Sequence, residues 1–164
     1  MQSLVETHAV AAAIARLTRK GDLIVLSGEM GAGKTAFAKG FGAALGVSEP
    51  ITSPTYTLVH TYELPRTAPA ALLHHADLYR LDRTAEVADL ALVELAEDDG
   101  IVLVEWGDVA DALFGDHVSV HLEVDDDDPV DLVDGARLIE ISATGSAWAG
   151  RWARIVNAVE EFAC

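Results

Sequence analysis

Gly28-Glu29-Met30-Gly31-Ala32-Gly33-Lys34-Thr35 places two glycines five residues apart directly ahead of a Lys-Thr pair. Such a loop can wrap its backbone N–H groups around a phosphate, because glycine adopts the backbone conformations that a tight wrap requires. A helix opening at Lys34 would add its positive N-terminus. The spacing fits G-x-x-x-x-G-K-[ST], in which Lys34 would reach the β- and γ-phosphates and the Thr35 hydroxyl would ligate Mg2+. Residues 28–35, with Ala36 behind them, are the candidate nucleotide-binding residues. Guanine-specific loops of this kind pair with an Asn/Thr-Lys-x-Asp segment. The lysines here are Lys20, Lys34 and Lys39, none of which opens such a segment, and the only asparagine is Asn157. ATP is therefore favoured over GTP.

A phosphate loop of this kind needs an acidic residue at the end of a hydrophobic strand to complete the Mg2+ shell. Glu105 closes the apolar run Ile101-Val102-Leu103-Val104, and Asp77 closes Leu72-Leu73-His74-His75-Ala76. The loop favours Glu105 and, less decisively, Asp77; which of them activates the attacking water stays open. His74 and His75 read as structural, since Mg2+ prefers oxygen. Ser53-Pro54-Thr55-Tyr56-Thr57 follows the loop and its helix, where a segment sensing the γ-phosphate would stand, with Pro54 to stiffen it.

These groups must be positioned by strands and helices. The pattern predicts helices over 7–19, 34–45 (ending at Gly46), 84–97 and 146–162. Strands are predicted at Leu23–Leu26, Thr57–Leu64, Ala71–His75, Ile101–Val104, Val118–Val124 and Leu138–Ile141, the second and third forming a hairpin. Strands alternating with helices give a single α/β domain with a central mixed sheet, and the phosphate loop at 28–35 makes the expected fold P-loop NTPase-like. A chain of 164 residues can bury one such core.

The charge is uneven. Residues 1–83 carry eight Lys/Arg and seven Asp/Glu, whereas between Arg83 and Arg137 there are 17 carboxylates and no Lys or Arg. That half disfavours broad contact with nucleic acid; it is either a solvated face or a face for a basic partner protein. The single cysteine, Cys164, forms no internal disulfide, and no apolar stretch is long enough to span a membrane, so a cytoplasmic setting is expected.

Four motifs in order, residues 28–35, Ser-Pro-Thr-Tyr-Thr-Leu-Val (53–59), His-Ala-Asp-Leu-Tyr-Arg-Leu (75–81) and Glu-Trp-Gly-Asp (105–108), resemble the bacterial tRNA threonylcarbamoyladenosine biosynthesis ATPases, the TsaE (YjeE) family, over about residues 3–143. The resemblance implies Mg2+ and ATP at the loop and a weak ATPase that depends on partners. Those partners are the threonylcarbamoyl transferase subunit and its paralogous companion, with tRNA reached mainly through the complex. The ATPase would reset the transferase rather than perform the transfer. It also implies catalytic roles for Lys34, Asp77, Glu105 and Thr55, and metal contacts from Thr35, Glu105 and Asp77. Trp106 would pack near the site, Thr7 would lie near the base, and Arg137 would reach back towards the nucleotide. Departures are Met30 in place of leucine, no proline after Glu105-Trp106, and an acidic run at Asp125–Asp128 that would form an exposed turn. Residues beyond about 145 match poorly, leaving the last helix without an assigned role.

Two other classes compete. A small-metabolite P-loop kinase would be of similar length, but the stretch 84–136, where a lid would be expected, has no arginine or lysine to stabilise a transferring phosphoryl group. A nucleotide-sensing module without hydrolysis needs the same binding groups.

Overall fold

The computed structural model describes residues 4–29, 32–51, 59–77, 92–105, 116–124 and 137–160. The elements are α1 (Leu4–Ala15), β1 (Leu23–Gly28), α2 (Lys34–Leu45), β2 (Val59–Glu63), β3 (Leu72–Asp77), α3 (Leu92–Glu97), β4 (Gly100–Glu105), β5 (His117–Val124), β6 (Arg137–Thr144), a 3-10 turn (Ser146–Trp148) and α4 (Trp152–Val159). One mixed six-stranded sheet is formed in the order β2-β3-β4-β1-β5-β6. The strands β3, β4, β1 and β5 are parallel neighbours, while β2 and β6 close the two edges antiparallel.

The apolar runs explain the centre. Leu23–Leu26 and Ile101–Val104 are buried along their whole length, as strands covered on both faces require. Ile24, Leu26, Ile101, Leu103, Val118, Val120 and Leu122 share one core with Val10, Ile14, Phe37 and Phe41 from α1 and α2. Those two helices meet closely because Gly40 has no side chain: a Cβ there would stand 2.7 Å from His8 Cα. α2 ends at Gly46, whose φ of 96° supplies the left-handed cap, as its position after the helical pattern predicts.

Several boundaries differ from the pattern. α1 spans 4–15 rather than 7–19, because Thr18 Oγ1 donates to Ala15 O at 2.6 Å and the chain turns into the Arg19–Asp22 bend. β3 runs two residues further than expected, to Asp77, and β6 extends to Thr144. The expected single helix over 146–162 is instead a 3-10 turn followed by α4 from Trp152, with Gly145 at φ 89° before the turn and Gly150 after it. The expected helix 84–97 is seen as α3; residues 84–91 and the Asp125–Asp128 turn lie outside the described residues.

The last segment is part of the core. Trp148 and Ile155 are buried in it, and the Arg151 guanidinium lies 3.7 Å from the Trp148 ring centroid. Arg151 donates to both carboxylate oxygens of Asp22, at 2.6 and 2.9 Å, and to Leu17 O at 2.9 Å. Asp22 also accepts from Arg19 N–H at 2.6 Å, so one buried carboxylate ties the α1–β1 bend to the chain end.

Candidate functional site

β1 stands where the strand order reverses: the chain leaves it towards the β2–β3 side and leaves its neighbour β4 towards β5 on the other side. In open α/β sheets the crevice beyond the carboxyl end of such a strand is where ligands bind. Gly28, the last residue of β1, has φ 137°, and a Cβ on it would run into the Leu122 carbonyl of β5. Only glycine fits that close approach. The chain then tightens, with Ala32 N–H donating to Glu29 O at 3.0 Å, and Gly33 at φ 108° opens α2. Phe37 N–H bonds Gly33 O at 2.9 Å, which makes Gly33 the first acceptor of the helix.

Lys34 is only 6% exposed, and its ammonium donates to Gly28 O at 2.7 Å and Glu29 O at 2.8 Å. The lysine thus holds the loop by its own carbonyls. Glu29 is exposed, Ala32 is fully buried and Ala36 is half-buried. Met30 and Gly31 lie outside the described residues.

Glu105 ends β4 beside Leu26 of β1, and it is 2% exposed. Its Oε1 faces Thr35 Oγ1 at a long 3.4 Å, and its Oε2 accepts from His75 Nε2–H at 2.7 Å. Asp77 ends β3 directly opposite Glu105 in the parallel register and is 9% exposed. The two acids are therefore lateral neighbours, with Glu105 next to the loop-bearing strand and Asp77 one strand further out. Among the described residues no three His, Cys, Asp or Glu side chains form a metal-holding group. The oxygens of Thr35 and Glu105 are the hard donors that Mg2+ takes, and that ion is commonly held by one or two protein oxygens together with phosphates and water. The residues present fit it.

Arg137 opens β6 opposite Val124, two residues beyond the Leu122 that pairs with Gly28, so its backbone enters the sheet at the loop end. Thr7 is buried in α1, one residue before the His8 that packs on Gly40. Thr55 and Trp106 fall outside the described residues; the segment holding Thr55 leads into Val59, which pairs with Ala76 at the Asp77 end of β3.

Two features escaped the sequence. His75 is the partner of Glu105, a contact that only the β3–β4 register brings about. Ser27, just before the loop, bonds His121 Nδ1 at 2.9 Å, and His121 Nε2 bonds Glu123 Oε1 at 3.0 Å, joining β1 to β5 at the root of the loop. His74 points away from this chemistry. It is hydrogen-bonded to Thr61 at 2.9 Å, and burial holds its pKa below the ordinary 6.5, with Asp98 opposing.

A loop after the first central strand, a buried lysine within it and a carboxylate at the end of the adjacent strand make this a P-loop NTPase-like α/β fold. The crystal structure of Bacillus subtilis YdiB superposes with TM-score 0.69 at 26% identity, covering 99% of this chain and 92% of that one. Residues 1–131 match the family described as "Threonylcarbamoyl adenosine biosynthesis protein TsaE", and the chain belongs to the TsaE family. Proteins named "tRNA threonylcarbamoyladenosine biosynthesis protein TsaE" are similar to it. That of Treponema pallidum is 37% identical over 79% of this chain and 87% of its own length. That of Streptomyces coelicolor is 36% identical over 83% and 89%. That of Bacillus subtilis is 40% identical over 62% of this chain, which spans 60% of that relative's length. Among the described residues no helix is long and apolar enough to cross a membrane.

Proposed function

We infer that the chain binds ATP with Mg2+ at residues 28–36 and hydrolyses it slowly in support of threonylcarbamoyl modification of tRNA. The work is done on the transferase subunit and its companion rather than on tRNA directly. The observation that carries this reading is the convergence at the end of β1 of a buried Lys34 on two loop carbonyls with the Thr35–Glu105 oxygen pair. Lys34 would release those carbonyls on binding phosphate, and Thr35 and Glu105 would hold the metal. Bound Mg2+ would supply the positive charge that offsets charge developing on the phosphate oxygens.

Asp77, beside Glu105, would orient or deprotonate the attacking water, and the segment around Thr55 would sense whether the γ-phosphate is present. Thr7 and Arg137 would border the nucleotide. Ordering of the Thr55 segment by ATP and its release after hydrolysis would set the surface offered to the transferase, which would then turn over repeatedly.

The experiment is ATP hydrolysis by the purified chain, alone and with the two partner subunits, with Lys34→Ala as the blank. Low activity that rises with the partners and is lost in the blank is the expected result. A rate unchanged by folded partners would remove the assigned role, and a blank as active as wild type would remove the site.

A further inference from the structure

His75 is fully buried, and the side-chain hydrogen bond it makes runs from Nε2 to Glu105 Oε2 at 2.7 Å, while Nδ1 is buried with no hydrogen-bond partner among the described residues. A carboxylate offers only acceptors, so Nε2 carries the hydrogen and donates it. A buried histidine kept for packing alone ordinarily finds a partner for each ring nitrogen. This one has no partner for Nδ1 among the described residues and directs its one side-chain bond at Glu105. The other carboxylate oxygen is thereby turned towards Thr35. The register sets up the contact: Asp77 pairs with Glu105 and His75 with Leu103, so His75 stands two residues back from the strand ends, on the side where Glu105 folds against it.

We propose that His75 is a positioning residue for Glu105, tethering Oε2 so that Oε1 is presented with Thr35 Oγ1 to a single Mg2+. The proposal rests on the Mg2+–ATP reading of this site. Partners that orient a metal-binding side chain are typically worth 10–100-fold in metal affinity or activity, and a carboxylate released from its tether would have to be ordered anew each time the metal binds.

The test compares wild type with His75→Phe, which keeps ring volume without the donor, and His75→Gln, whose amide N–H can stand near the position of Nε2. Binding of a fluorescent, non-hydrolysable ATP analogue is followed as Mg2+ is titrated, and again in EDTA. The Phe variant is expected to raise the Mg2+ midpoint by ~10-fold or more with its affinity in EDTA unchanged, and the Gln variant to recover most of that shift. A Phe variant with native near-UV circular dichroism and an unmoved Mg2+ midpoint overturns the proposal. So do equal losses in Phe and Gln that extend to binding in EDTA, which mark a packing role. If the Phe variant does not fold, His75→Asn, whose shorter amide falls short of Oε2, takes its place with the same outcomes. Wild-type protein that binds the analogue without regard to Mg2+ overturns the underlying reading instead, and it does so before any variant is compared.

Discussion

A buried ammonium must be hydrogen-bonded, and Lys34 finds acceptors in the carbonyls of Gly28 and Glu29, the loop it serves. The loop is thus held together by the group that would later bind phosphate. Gly28 carries the complementary constraint. Gly28→Ala would meet the Leu122 carbonyl at a positive φ, so a loss of at least ~1–2 kcal/mol is expected from the backbone conformation alone. It should appear as a lower urea midpoint together with weaker nucleotide binding; a midpoint equal to wild type would show that the β1–β5 approach is slack. His74 gives a pH signature. Burial disfavours its charged form in the folded chain, so above the ordinary 6.5 neither state takes the proton and stability is whole. Below 6.5 the unfolded chain binds a proton that the folded chain resists, so stability falls as pH falls. His74→Gln should therefore show a shallower loss of urea midpoint between about pH 7.5 and 5.5; an unchanged slope would remove His74 from the account. Lys34, Thr35 and Glu105 were legible as single residues because their spacing and flanking apolar runs are local. His75 was not, since a histidine in a strand says nothing about which carboxylate the neighbouring strand will bring to it.

At the scale of elements, continuous apolar runs located β1 and β4, and the cap at Gly46 located the end of α2. The hairpin was legible too, although β3 proved long enough to carry Asp77 level with Glu105. The chain end was misread as one amphipathic helix without a role. Its real shape follows from Trp148, which must reach the core before α4 begins, and from Arg151, which seeks a carboxylate 129 residues away. No local period encodes such a partner. Arg151→Ala leaves the buried Asp22 carboxylate without its counter-ion, with the Arg19 N–H bond remaining, and breaking a buried pair in this way costs ~3–5 kcal/mol. A lowered urea midpoint with nucleotide affinity intact in the folded protein is the expected result, since the pair sits at the opposite end of β1 from the loop. A midpoint near wild type would mean that the clamp contributes little.

For the molecule as a whole, the formal net charge of −16 favours expansion through self-repulsion. In the acidic stretch, Glu94, Glu97, Asp98, Asp99, Asp116 and Glu123 are exposed, while Glu105 is buried at the site. The melting temperature should therefore rise by a few degrees as NaCl is raised from low salt to ~0.5 M, where screening extends over only a few ångströms. A flat or falling response would show that the exposed carboxylates are already offset. The alternating order of strands and helices made the fold class legible, but the lateral order of the strands was not. That order has a consequence for synthesis. β1 is made early, yet both of its neighbours, β4 and β5, begin only at Gly100 and His117. On the ribosome the loop hangs from a strand with two open edges until Gly100–Glu105 has emerged, and with one open edge until His117–Val124 has followed. Nucleotide bound at the loop, as proposed, would thus stabilise the folded protein but would not guide the folding of β1, whose edges stay open to wrong pairing until both neighbours are made.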